Sequence, residues 1–215
     1  MKTPEQRKSE SMAYLRAKEV DVIEHLPILE PEEEFNLRSP SDVAKRIICL
    51  VFVTDFAQKN ANDSYWEYIE KHSLKSWFTP DEWSFINNKK PDNQLVINMS
   101  WRIEGAYLLF WALGKIENIP FPTESIDPAD VYSCLPQFDQ SPHDFVSSVQ
   151  LIKKSKIIDV ADLIYRMHWA TRQAYLEQSE MPSGLENGVV QEWHQAINWL
   201  AYIDDESWDD VSTDT

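Results

Sequence analysis

The sequence predicts an all-α fold, read as one domain over residues 1–215: a bundle of about seven to nine helices with an acidic N-terminal loop and a docked C-terminal tail. Three observations predict it. A helix-start signal recurs five times, as Thr3-Pro4-Glu5-Gln6, Ser39-Pro40-Ser41-Asp42, Thr79-Pro80-Asp81-Glu82, Asp127-Pro128-Ala129-Asp130 and Ser141-Pro142-His143-Asp144. Its first residue can accept a hydrogen bond from an unpaired N–H of the first turn, Pro fits the first helical position, and the acid or amide can bond back to the cap. Apolar residues then recur at helical spacing, as in Val160, Leu163, Ile164, Met167, Thr171 and Ala174. Lastly, 9 Trp, 8 Tyr and 9 Phe can fill a core without disulfides, while 4 glycines and the lack of any Gly/Ser-rich linker or internal repeat mark no boundary.

In chain order, the first helix is expected from Pro4 to about Val20, burying Met12, Leu15 and Val20. The loop His25–Leu37 follows, where Pro27 and Pro31 oppose helix and Ile28, Leu29 and Phe35 can tack it to the body. The next helix, Pro40 to about Gln58, is β-branched in its middle, and its cap argues against a strand. Helices over Asp63–Ser76 and Pro80–Asn87 carry aromatic stripes, and Asn93–Leu113 is the most apolar, with Gly114 placed to close it in the left-handed conformation. Pro128–Leu135 and Pro142–Lys154 are short capped helices, the stretch from Asp159 through Arg172 a long one, and Val189 to about Ile203 the last. Trp208, set among the acids of the tail, is expected to dock on the body.

The net charge is −16, and twelve of the acids behind it fall in two segments free of Lys and Arg, Asp21–Glu34 and Asp204–Asp214. That balance disfavours nucleic-acid binding, which needs a concentrated basic face, and suits either solubility or attraction of a basic protein partner. The apolar run Gly105–Gly114 is too short to span a membrane, and the N-terminus has no apolar signal region, so no membrane association and a cytoplasmic location are expected. The two cysteines, Cys49 and Cys134, read as reduced thiols in or near the core.

The richest polar set lies in DVADLIYRMHWATR, residues 159–172. Asp162 stands four residues before Arg166, and Tyr165, His168 and Arg172 share a line on the same helix. Glu104 sits inside the most apolar helix, and the last helix adds Glu192, His194 and Asn198. Two readings stay open. Glu104, Arg166 and Asp162 or Asp209 can form a buried ion-pair network that docks helices and tail. Alternatively, carboxylates, arginines and histidines can converge as acid, base and anion clamp. A metal is not expected: Glu192 and His194 are two apart and point to different sides of a helix, and the Asp-rich tail lacks the turning glycine of a calcium loop. No cofactor is expected either, since 4 glycines leave no room for a phosphate-binding loop or dinucleotide fingerprint.

Trp101-Arg102-x-Glu104 followed by Trp111-Ala112-Leu113-Gly114, Asp162-Leu163-Ile164-Tyr165-Arg166-x-His168-Trp169-Ala170-x-Arg172, Ala196-Ile197-Asn198-Trp199-Leu200 and the ending from Trp208 to Thr215 come in this order along most of the chain. In these motifs the chain resembles the bacterial domain of unknown function 4272 family. The last helix of similar proteins commonly reads Glu-Arg-His where this chain has Glu192-Trp193-His194, which removes a cation from position 193. The resemblance implies an all-helical bacterial protein and supplies no reaction. The leading expectation is a non-catalytic acidic protein docking a basic protein, as immunity-type proteins do. The alternative is a small-molecule enzyme or ligand sensor built from Glu104, Arg166, His168, Arg172 and His194.

Overall fold

The computed structural model describes residues 2–201 and 206–215. Among them the chain is all-helical, with α1 Pro4–Ala17, α2 Pro40–Ala57, α3 Asp63–Lys71, α4 Pro80–Asn87, α5 Asn93–Ser100, α6 Arg102–Ala112, α7 Pro128–Cys134, α8 Pro142–Ser148, α9 Lys154–Glu177 and α10 Asn187–Leu200. Short 3₁₀ turns lie at Leu74–Trp77 and Pro182–Gly184. All five start signals begin helices. Thr3 and Thr79 form complete capping boxes, Ser39 and Asp127 accept one backbone N–H each, and Ser141 makes no side-chain cap bond.

Where helices end differs from expectation for local reasons. The helix expected over Asn93–Leu113 is divided at Trp101, where Trp101 N–H reaches the Asn98 carbonyl and Glu104 N–H the Trp101 carbonyl, tightening one turn. Counted as one kinked helix, α5 and α6 bring the described total to nine. α1 stops at Ala17, because Glu19 turns left-handed and Val20 N–H returns to the Leu15 carbonyl, which buries Val20. Ser73 (φ 56°) ends the expected Asp63–Ser76 helix early, and Val149, extended and buried, ends the expected Pro142–Lys154 helix at Ser148. Gly114 closes α6 with φ 66°, as its position implies. The expected end of the last helix at Ile203 lies outside the described residues.

The chain divides into two compact units. Unit 1 comprises residues 1–38, 119–125 and 152–215; there α9 packs against both α1 and α10. Unit 2 comprises residues 39–118 and 126–151, and its centre is α2, buried along nearly its whole length and packed by α4, α5, α6 and α8. Its continuous apolar run needs cover on several sides, which explains why the helix has no polar face. Cys49 lies wholly inside it, and burial pushes its thiol up to about 12. Both cysteines are free, and Cys134 is half-buried. No helix of the described residues is long and apolar enough to cross a membrane.

The N-terminal loop is tacked down differently from expectation. Phe35 is buried against Ile158 and Ala201, flanked by Leu29 and Leu37, but Ile28 is 43% exposed. Cations supply the remaining anchors. Lys8 Nζ donates to the Leu26 and Glu24 carbonyls, Arg7 Nη1 to that of Glu30, Arg166 Nη2 to that of Pro27, and Lys154 Nζ to that of Phe35. The tail docks as expected: Trp208 is buried edge-on to Trp199, with centroids 5.6 Å apart. Arg38 stacks on the Trp199 ring at 4.6 Å and donates to the carbonyls of Trp199 and Glu206, a cation set at the end of α10 where carbonyls lack helical partners.

Candidate functional site

The expected polar helix is α9, and its 24 residues place polar groups on both the buried and the open side. Asp162 and Arg166, one turn apart and both fully buried, make a bidentate pair: Nε to Oδ2 at 3.0 Å and Nη2 to Oδ1 at 2.7 Å. Arg166 Nη2 also holds the Pro27 carbonyl at 3.1 Å, so the pair ties the acidic loop to α9. Of the two aspartates proposed for Arg166, Asp162 takes the role and Asp209 lies at the surface.

A second set runs from α9 through α10 to the tail. Asn198 Nδ2 donates to the Ser212 carbonyl at 3.0 Å and lies 3.1 Å from His194 Nε2, which must therefore accept. His194 then carries its proton on Nδ1 and donates it to His168 Nδ1, 2.9 Å away. That leaves the His168 proton on Nε2, and the nearby Thr213 backbone favours the protonated ring. One arrangement of protons thus fits all three side chains, and the chain closes on the Ser212 carbonyl of the tail. Burial, and then the neighbouring Arg172 charge, lowers His168 to about 4, against the opposing pull of Thr213 and Asp214. Burial, and then His168, lowers His194 to about 3. Both rings are neutral near pH 7.

His168 also forms the inner wall of a hollow of ≈320 Å³ lined by Arg172, Tyr175, Asn187, Gln191 and Thr213. Arg172 and Tyr175 are exposed there, whereas His194 is sealed behind His168. Tyr165, half-buried, lays its ring 6.0 Å from that of His194. His168 Nδ1 and both ring nitrogens of His194 are engaged within the set. Glu192 is buried on α10. Glu104 belongs to unit 2, where it is 1% exposed and its Oε1 accepts the Ile126 N–H at 3.0 Å. Among the described residues no group of three His, Cys, Asp or Glu side chains is placed to hold a metal ion.

Two buried polar sets in unit 2 escaped the sequence reading. Arg46 on α2 meets Glu82 on α4 at 2.6 Å, both buried. Asp55, near the end of α2, accepts the phenol protons of Tyr65 and Tyr132. The available signal was charge inside an apolar run, since Arg46 and Asp55 bracket the segment IICLVFVT.

The arrangement of Asp162-Arg166, His168 and Arg172 on one helix, joined by His194 and Asn198 to a docked Trp208 tail, is accompanied by a match of residues 7–211 to the model of a domain of unknown function (DUF4272). The chain belongs to this family. In this DUF4272 member, Trp193 on α10 is 1% exposed. No curated protein and no solved structure matches the chain.

Proposed function

We propose that the chain is a non-catalytic binding protein of the bacterial cytoplasm that docks a basic protein partner, in the manner of immunity-type proteins, through the acidic loop of unit 1. The observation that carries this reading is how the loop is held. Its backbone carbonyls at Glu24, Leu26, Pro27 and Glu30 are gripped by Lys8, Arg7 and Arg166, and the Asp21, Glu30, Glu33 and Glu34 side chains stand exposed, as does Ile28, while Glu24 pairs with Arg16. A loop ordered before it binds loses less conformational entropy on docking, and its field steers a cationic surface toward it. Unit 1 holds 22 acidic and 11 basic residues, so 11 of the 16 net negative charges belong to it. The test compares the natural chain with a Glu30→Lys, Glu33→Lys, Glu34→Lys variant in pull-downs at low and high salt. The reading expects a partner that the natural chain retains, that salt weakens and that the variant loses; no partner at either salt, or equal capture by the variant, overturns it.

A second reading rests on the hollow beside His168: a small anionic or polar ligand held by the Arg172 guanidinium and the Asn187 and Gln191 amides. It expects carboxylates or phosphates to raise the melting temperature of the natural chain and not of Arg172→Ala. A screen in which none does so removes it.

A further inference from the structure

The structure also points to a second binding place, wholly within unit 2 and independent of the reading above. We propose that the cleft between α2, α3, α7 and the segment 135–138 binds a small organic ammonium ion, with Asp55 as its counter-charge and aromatic rings as its walls.

The argument begins with Asp55. It is 2% exposed, yet lines a cavity of ≈160 Å³ together with Ile48, Val51, Phe52 and three tyrosines. Tyr65 donates to its Oδ2 at 2.8 Å and Tyr132 to its Oδ1 at 2.5 Å. Two phenols suit a carboxylate as donors but bring no positive charge to cancel its own. Burial, and then Asp55 itself, pushes both phenols above their ordinary range, so they remain neutral donors. Among the described residues, the lining of this cleft includes no lysine, arginine or histidine. A buried carboxylate beside an accessible space gains most from a cation that loses little on leaving water.

The walls narrow the choice of cation. Phe138, 43% exposed, closes the outer side, with its ring 4.9 Å from Tyr65, 5.0 Å from Tyr68 and 6.2 Å from Phe52. Aromatic faces carry negative potential and attract ammonium groups within about 6 Å of the centroid. A hard metal ion would need several more oxygen ligands than one carboxylate already engaged by two phenols. Lysine-like primary amines need hydrogen-bond acceptors that these mainly apolar walls do not supply, whereas a methylated ammonium presents an apolar skin around its charge. An apolar cavity of about 150 Å³ holds a benzene molecule. The cleft therefore fits a tetramethylammonium or choline head.

The experiment is calorimetric titration of the full chain with tetramethylammonium chloride, with choline, and with the uncharged carbon isostere of choline, in which a tert-butyl group replaces trimethylammonium. Saturable binding of both cations is expected, with the isostere weaker by about tenfold or more. Asp55→Asn, which keeps an acceptor for the phenols but not the charge, should weaken choline by a similar factor. Phe138→Ala, at the surface, should weaken it severalfold. Absence of saturable binding by either cation overturns the proposal, as does an isostere that binds as well as choline or a folded Asp55→Asn chain that binds unchanged. Should Asp55→Asn fail to fold by circular dichroism, the isostere and Phe138→Ala decide.

Discussion

The seam between α9, α10 and the tail and the cleft around Asp55 solve the same problem in opposite ways. The seam is mostly paired within itself: Asp162 is neutralised by Arg166, and the two histidines, held uncharged, lie on one hydrogen-bond chain that ends at the Ser212 carbonyl. The cleft leaves a charge in place, since Asp55 is met by neutral donors and fronts a cavity. A buried polar set that satisfies all its members stabilises and orders the fold around it. One that leaves a charge uncompensated is the better place to look for a ligand.

The largest expected effect breaks the closed side. Arg166→Met leaves Asp162 buried without its cation and frees the Pro27 carbonyl, at a cost of about 3–5 kcal/mol in denaturant unfolding. A loss below about 1 kcal/mol would mean the seam is not sealed. Next comes pH. The histidines are neutral in the folded chain down to about 4 and 3, whereas unfolded histidine takes up a proton near 6.5. Their contribution is complete above pH 6.5 and is lost as pH falls from there toward 4 for His168 and 3 for His194, because the unfolded state then binds protons that the folded state refuses. The loss amounts to a few kcal/mol, and a His168→Leu, His194→Leu chain should show a flatter stability profile over that window. An unchanged profile would refute the chain of neutral rings.

The smaller effects sharpen the open side. Tyr132→Phe removes one hydrogen bond to a charged acceptor and should cost about 1.5–3 kcal/mol, while Tyr68→Phe, whose hydroxyl reaches only the Gln140 carbonyl, should cost about 1 kcal/mol. Equal losses would show that the charge on Asp55 is already compensated. The smallest difference concerns caps in unit 2: Thr79→Ala should cost about 0.5–2 kcal/mol in thermal melts and Ser141→Ala a few tenths, since only the former makes a cap bond.

Helix starts were legible because capping is local chemistry among four consecutive residues, as Thr3-Pro4-Glu5-Gln6 shows. Helix ends were less so. Trp101, Ser73 and Val149 carry no stop signal, and their turns follow from packing. The Asp162–Arg166 pair was legible from spacing, and His168, His194 and Asn198 were named without their order. Their linkage could not be read, because it depends on α10 lying across α9 and on the tail bringing Ser212 and Thr213 to them. Arg7, Lys8 and Arg38 were missed altogether, since they hold backbone carbonyls, and Arg7 also Asp159 far along the chain, contacts that no local side-chain pattern reveals.

By itself the sequence determined the all-helical class, the five helix starts, the apolar run of α2, the acidic segments and the DUF4272 family, all of which depend on near neighbours or on composition. Tertiary structure decided which polar groups are closed and which face a space. Glu104 and Asp55 are both acids in apolar helices, and only the chain folded around them gives one an Ile126 N–H and the other two phenols and a cleft. Burial and partnership of a charge are set by residues distant in sequence, so they arise when the helices pack.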